Sequence, residues 1–194
     1  MVGPDGAGKT TLVSALPGVL GGDTLVVYMG VNRDSRTHAL PSMRWAQRRV
    51  PAVAPARLRR LLTRVHLLLD QAYRVGVGAR ARRRGRTVIF DRYVYDAEVD
   101  AAVEGRDRRE QRLLRWIRRR FPAPDLVLVL DAPGDVLFTR KGEHDVERLE
   151  CLRGAYAVIA GDVPASTLID VRQDAAAVLS DAVAAIEARR GDHR

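Results

Sequence analysis

Cysteine is all but missing. Cys151 is the only one in 194 residues, which rules out an internal disulfide and fits a reducing compartment. Lysine is nearly as scarce: Lys9 and Lys141 are the only two, and every other basic residue is arginine. In a chain that almost never uses lysine, those two positions call for a reason. No apolar run approaches the roughly 20 residues of a membrane-crossing helix; LVLVL at 126–130 is strand-sized. The opening residues are polar and glycine-rich where a secretory leader would be charged and then apolar, so the expectation is a cytoplasmic protein with no leader and no membrane partner.

What is present is basic. A net charge of +9 invites a nucleic-acid reading. The skew to arginine weakens that invitation, because it reads most simply as genomic base composition and solvated arginine faces. With 46% hydrophobic residues, the chain can bury a core as one domain spanning 1–194. Short apolar strands alternate with longer helical stretches, which argues a parallel sheet with helices on both faces.

Strands are expected at 24–29, 87–91, 126–131 and 167–171. The first helix should run from Lys9 to Leu16 and stop at Pro17-Gly18. A stretch rich in Arg and Pro follows the first strand, broken by Pro41, Pro51 and Pro55. A long helix from Ala56 carries Leu58, Leu61, Leu62, Val65, Leu69 and Ala72 on one face, at the spacing of an amphipathic helix facing the core. Asp107 to Arg119 reads as a basic helix with Leu113, Trp116 and Ile117 toward a core. A short helix from Pro133, one from Val146 to Ala160 and one from Asp174 to Arg189 complete the pattern.

Three constellations carry chemistry. Gly3-Pro4-Asp5-Gly6-Ala7-Gly8-Lys9-Thr10, followed by Thr11, fits the phosphate-loop (P-loop) pattern GxxxxGK[ST] at every specified position. Glycines let successive backbone N–H groups turn onto phosphates, and the following helix adds its positive end. Lys9 should reach the β/γ-phosphates of ATP, and the Thr10 hydroxyl should ligate Mg2+. Next, FDRY at 90–93 ends a strand with Asp91 and Arg92 at the edge where open α/β proteins bind ligands. Asp91 would hold Mg2+, directly or through water, and Arg92 would pin an anionic phosphate. Third, TRKGEHDVER at 139–148 is a polar basic loop, in which Arg140, Lys141 and Arg148 are candidates for a lid that closes on the transferring phosphoryl group. The phosphate loop itself carries no arginine. His144, within this stretch, reads as a solvated residue, and His38, His66 and His193 have no partners at metal spacing. No Asp-x-x-Gly after a strand and no Asn-Lys-x-Asp reader favours a GTPase.

In order, GPDGAGKTT, TVIFDRY, PDLVLVLDAP and RKGEHDVERLE resemble the thymidylate kinase family of P-loop nucleoside monophosphate kinases. The resemblance implies a P-loop NTPase fold with a five-stranded parallel sheet, helices on both faces and a helical lid. It implies transfer of the ATP γ-phosphate to a (deoxy)nucleoside monophosphate such as dTMP, with Mg2+. By motif position, Asp5 would lie near the acceptor sugar and phosphate, Arg92 would grip the acceptor phosphate, and Arg140 with Arg148 would be lid arginines. A homodimer is kept as a further partner arrangement, apart from what the resemblance implies. The acceptor half departs from the family: YMGVNRDSRT (28–37) replaces an Arg-Glu-Pro-Gly-Gly segment, and a base-reading arginine of the long helix is replaced around Asp70-Gln71. Asp96, Ala97 and Asp100 stand near positions where the family has Ser/Asn and then Tyr. dTMP is therefore expected to be a poor acceptor.

Two alternatives stand beside this reading. One is an ATP-dependent nucleic-acid binder or polynucleotide end kinase using RARRRGR (80–86) and LRWIRRRF (114–121), with Trp116 and Phe121 stacking on bases. The other is a thymidylate kinase-like kinase of a non-nucleotide acceptor. A further expectation concerns the first strand, which is nearly absent. Such strands are apolar runs of about five residues, and only Met1-Val2 precede the loop. The neighbours, 87–91 and 126–130, would then flank an unfilled slot, and a few apolar residues ahead of Met1 are expected in the working protein.

Overall fold

Alternation of strand-length apolar runs with helices of 8 to 28 residues produces the observed order. In chain order the elements are α1 (Lys9–Leu20), β1 (Thr24–Tyr28), α2 (Ala56–Arg83), β2 (Thr87–Asp91), α3 (Tyr95–Val103) and α4 (Arg108–Arg120). They continue as β3 (Val127–Asp131), α5 (Gly134–Lys141), α6 (Val146–Asp162), β4 (Ser166–Asp170) and α7 (Ala175–Gly191). The computed structural model describes residues 1–30 and 55–191, with some side chains early in α2 left out. The segment holding Pro41, Pro51 and most of YMGVNRDSRT lies outside them.

The protein is α/β, with parallel strands throughout. In place of one five-stranded sheet, the described residues form two parallel pairs, β1–β2 and β3–β4. Met1 and Val2 lie between the pairs, in agreement with the expected neighbours. Met1 N donates to Phe90 O at 2.8 Å, and Arg92 N donates to Met1 O at 3.1 Å, on the β2 side. Val2 N donates to Leu128 O at 2.9 Å and Leu130 N to Val2 O at 3.0 Å, on the β3 side. Two residues alternate sides as any strand does, one facing each neighbour, and that is too short to make a fifth strand.

The core gathers Val2, Val27, Leu16, the apolar run of β3, Leu137 of α5 and Leu149, Leu152 and Tyr156 of α6. Strand β3 is buried along Val127–Leu130, as a strand covered on both faces should be. Helices α4, α6 and α7 begin at Asp107, Asp145 and Asp174, whose carboxylates accept N–H bonds from Glu110, Arg148 and Ala177 respectively.

Several expectations are corrected. Helix α1 does not stop at Pro17; it continues to Leu20, which packs against the core one turn beyond Leu16 and offsets the break. Helix α2 forms as expected, but its leucine stripe faces out: Leu58, Leu62, Val65 and Leu69 are exposed, Leu69 at 55%. Asp70, Arg74, Val75, Gly78 and Ala81 are buried instead, because Arg74 bonds the Tyr28 carbonyl of β1 and Gln71 the Met29 carbonyl just beyond it, which fixes the rotation of the helix. In α4, Leu113 and Trp116 are 51% and 54% exposed, not in a core. Arg118 turns inward there, pairing with Glu98 at 2.8 Å and Asp162 at 2.7 Å, and this pins the opposite face of the helix. The short helix α3 was not anticipated. No helix among the described residues is long and apolar enough to cross a membrane.

Candidate functional site

The glycine-rich loop hangs from Val2 and feeds α1. Its shape depends on glycine in two distinct ways. Gly6 (φ +85°) lies so close to α5 that an added Cβ would come within 2.6 Å of the Leu137 carbonyl oxygen. Gly8 (φ +78°) has nothing within 4 Å of that position. One is held by packing and the other leaves open space at the start of α1. Gly8 forms the N-cap of α1 with no side-chain cap, and the first turn has no acidic residue. The first N–H groups of a helix lack intrahelical partners, so this end presents donors and a positive dipole to an anion. Thr10 and Thr11 are exposed on the same turn, and Ala7 is buried beneath it.

Lys9 is only 7% exposed, and its ammonium donates to the carbonyls of Gly3 (2.8 Å) and Pro4 (2.6 Å). Burial and nearby Arg92 push its pKa down, while Asp5, Asp96 and Asp91 oppose that shift. Asp5 is the junction of the site. Arg92 Nη2 stands 3.0 Å from Asp5 Oδ1, Lys9 Nζ 3.6 Å and Lys141 Nζ 4.0 Å, while His144 Nε2 is 3.7 Å from Oδ2. Burial pushes the Asp5 carboxyl up, but Lys9, Arg92 and Lys141 together outweigh it and hold the pKa below its usual value.

Strand β2 delivers Asp91 and Arg92 to the same edge. Asp91 is buried, and desolvation raises its pKa against the opposing charges of the amino terminus, Arg92 and Lys9. Arg92 adopts φ 67°, the left-handed region that a side-chain-bearing residue rarely occupies. Its backbone N–H is tied to Met1 and its guanidinium to Asp5, so both ends of the turn are held. Burial pulls the Arg92 pKa down, but Asp96 and Asp5 more than reverse this, so the guanidinium stays charged.

Behind this layer sits a pair that sequence reading did not assign. Asp96 accepts from the Tyr93 backbone N–H at 2.9 Å and from the Tyr156 hydroxyl. Burial first, then the Asp96 charge, push the Tyr156 pKa far up, so the tyrosine is a fixed neutral donor. Asp131, ending β3, is gripped by Arg153 through two bonds of 2.7 and 3.1 Å. The only sequence signal for these was an acid following DRY and an acid ending LVLVLD.

The stretch 139–148 is less of a loop than expected: Thr139–Lys141 close α5, and Val146 to Arg148 begin α6. Of its basic residues, Lys141 and His144 reach Asp5. Arg140 is exposed at the end of α5, and Arg148 lies 3.8 Å from Glu104. His144, expected in solvent, is half-buried. Among the described residues no three His, Cys, Asp or Glu side chains cluster as a metal cage. Asp91, a buried carboxylate, and Thr10, an exposed hydroxyl, are oxygen donors of the kind a hard divalent cation takes.

Fold and site together define an α/β protein with a glycine-rich loop at the carboxyl edge of its parallel strands. No protein-family model matches this chain, and comparison with curated proteins returns no match.

Proposed function

We propose that this chain is an ATP-dependent phosphotransferase of the P-loop kind, resembling thymidylate kinase, that acts on a (deoxy)nucleoside monophosphate. In this reading Met1–Val2 with β1–β4 make up the parallel order of a P-loop NTPase, residues 1–194 are one kinase domain, and 139–148 is its lid. The observation that supports it most is the meeting of Lys9, from the loop, with Arg92, from β2, on the single carboxylate of Asp5. Two phosphate-binding cations from distant parts of the sequence converge on one point, as donor and acceptor phosphates must.

Loop amides of Gly6, Ala7 and Gly8, with Thr11, would hold the donor phosphates, and Lys9 would leave its carbonyl partners for the β/γ oxygens. Arg92 would exchange Asp5 for the acceptor phosphate, so Asp5 keeps both cations placed until substrates arrive. Thr10 and Asp91 would hold Mg2+, which would supply positive charge to the phosphate oxygens. Arg140, Lys141 and Arg148 would bring further charge as the lid closes, and catalysis would rest on positioning and charge stabilisation. The same reading places the protein in the cytoplasm. The test is an ADP-release screen over nucleoside monophosphates and unrelated alcohols, with Lys9→Ala as control. ADP release that is independent of every acceptor, or equal in the variant, would overturn it.

One observation favours the nucleic-acid alternative more than the sequence did: Trp116 is half exposed, with the Arg120 guanidinium 4.9 Å from its ring centre. Against it, Arg82 pairs with Asp125, Arg86 with Asp23, and Arg115 with Glu98. Salt-sensitive binding of single-stranded DNA at physiological ionic strength would support the alternative.

A further inference from the structure

The end of α2 sorts the arginines of the run 80–86. Arg82 pairs with Asp125, while Arg80 and Arg84 line a separate groove of about 470 Å³ between α2 and β1. That volume is in the range of small-molecule sites, roughly 300–1,000 Å³. Among the described residues, the side chains of Arg80 and Arg84 make no hydrogen bond or ion pair. Arg86 joins them there: past Gly85, at φ 79°, the chain doubles back and Arg86 N donates to Ala81 O at 3.2 Å. Arg86 pairs with Asp23, but its Nε is buried with no hydrogen-bond partner. No described carboxylate lines the groove; Leu25 of β1 with Val77 and Ala81 of α2 make it apolar, and Tyr73 walls its far end. Tyr73, Val77, Arg80 and Arg84 stand four, three and four residues apart, in one line down the helix. From the tyrosine to Arg84 that line is roughly 16 Å long. Two glycines interrupt α2 beside it, and a glycine inside a helix is destabilising. Gly78 has a packing reason, since a Cβ there would come within 2.5 Å of the Phe90 ring. Gly76 has none: a Cβ would meet nothing within 4 Å, and the residue lines the groove. Its missing side chain leaves the middle of the groove open.

We propose that this groove binds a small phosphate monoester that carries a flat aromatic ring. Arg80, Arg84 and Arg86 take the phosphate at one end, where guanidinium groups match its oxygens with paired hydrogen bonds. The ring lies over Gly76 and Val77 and meets the ring of Tyr73. Arginines in a last helical turn also offset the helix dipole. That role explains neither the aromatic wall nor the open position at Gly76. A nucleic-acid strand asks for basic groups along its whole path, and here they are confined to one half of a short groove. Leu25 places the groove toward the amino end of β1, whereas the glycine loop stands at the carboxyl edge of the strands. The inference is therefore independent of the proposed activity.

The probe is 1-naphthyl phosphate, titrated into the protein and followed through backbone amide shifts, with inorganic phosphate and 1-naphthol as partial ligands. Saturable shifts should map to Gly76, Val77, Arg84 and Gly85, and each partial ligand should bind at least about tenfold more weakly. Arg80→Gln combined with Arg84→Gln should weaken the probe by about tenfold or more. Gly76→Leu should abolish binding while the melting midpoint holds or rises, because the new side chain enters open space and leucine favours the helix. Inorganic phosphate binding as tightly as the probe would reduce the site to an arginine cluster and overturn the proposal. Shifts confined to Gly6, Gly8 and Thr10, or probe binding indifferent to Gly76→Leu, would overturn it too. Tighter binding of a single-stranded oligonucleotide, equally indifferent to Gly76→Leu, would assign these arginines to nucleic acid instead.

Discussion

Arg92 and Asp5, 87 positions apart in the chain, are joined by a 3.0 Å charge-assisted bond in which Arg92 Nη2 donates to Asp5 Oδ1. The bond ties the end of β2 to the glycine loop. It also explains how an arginine is held at φ 67°, a conformation that costs a side-chain-bearing residue roughly 1–2 kcal/mol.

Replacing Arg92 should therefore have two separable effects. Arg92→Ala should raise the acceptor KM and lower kcat while leaving the affinity for an ATP analogue nearly unchanged. Arg92→Gly should lose activity equally yet be more stable than Arg92→Ala by about 1 kcal/mol, because glycine accepts positive φ without strain. Weakened ATP binding with acceptor binding intact would reverse the role given to Arg92. Equal melting of the two variants would remove the strain.

Lys9→Ala should abolish phosphotransfer while the fold survives. Charge-clamp losses are about 10²-fold or larger, so a variant retaining more than about a tenth of wild-type turnover contradicts the role. Circular dichroism and melting of the variant provide the control for folding.

The two loop glycines should respond differently to the same substitution. Gly6→Ala forces a Cβ within 2.6 Å of the Leu137 carbonyl and should destabilise by several kcal/mol, on the order of 2–4. Gly8→Ala meets no atom and should cost only the backbone strain of positive φ, about 1 kcal/mol. Its Cβ would instead stand in the open space where phosphate is expected, so ATP-analogue binding should fall more than stability does. Equal stability losses in denaturant melts would contradict the packing argument.

Where the Met1 nitrogen is a free amino group, stability should rise with pH between about 6 and 8. Burial lowers the pKa of the Met1 amino group from 8.0 to about 6, with Asp96 and Asp91 opposing the shift and Lys9 adding to it. Between those values the unfolded chain binds the proton and the folded chain does not. The stabilising difference is fully present above pH 8 and lost as pH falls toward 6. Two pKa units correspond to about 2–3 kcal/mol. Melting from pH 5.5 to 8.5 checks this, and acetylating the amino terminus should flatten the step. A step that persists after acetylation assigns the titration elsewhere.

dTMP should be phosphorylated more slowly than another acceptor. An arginine does stand one turn past the departed base-reading position, but Arg74 is 3% exposed and bound to Asp70 at 2.8 Å and to the Tyr28 carbonyl at 2.5 Å. A pocket without its hydrogen-bonding partner can lose discrimination by about 10⁴-fold. Efficient dTMP turnover with dUMP and dCMP strongly rejected would refute this expectation.

The glycine loop, the Asp91-Arg92 strand end and the span of β3 were legible because each is local. A φ-permissive glycine, a polar residue closing an apolar run and a run of five apolar residues need no distant partner to be recognised. The outward stripe of α2 and the exposure of Trp116 were not legible. Periodicity states which residues share a helix face, but not which neighbour covers that face. Here Arg74 bonding to β1 and Gln71 to Met29 just beyond it, and Arg118 bonding to Glu98 and Asp162, set the rotations instead.

By itself, the sequence determined the alternation of strands and helices and the loop whose glycines can turn its amides inward. Those properties reside in residue type and spacing, which fix backbone freedom and burial preference locally. Only the tertiary structure decided that Asp5 gathers Lys9, Arg92, Lys141 and His144. It also set Tyr156 on Asp96, and placed Met1 and Val2 so that each bonds a different strand. Such contacts join residues far apart in the chain, and they exist because burial leaves each charge and backbone group few partners within reach.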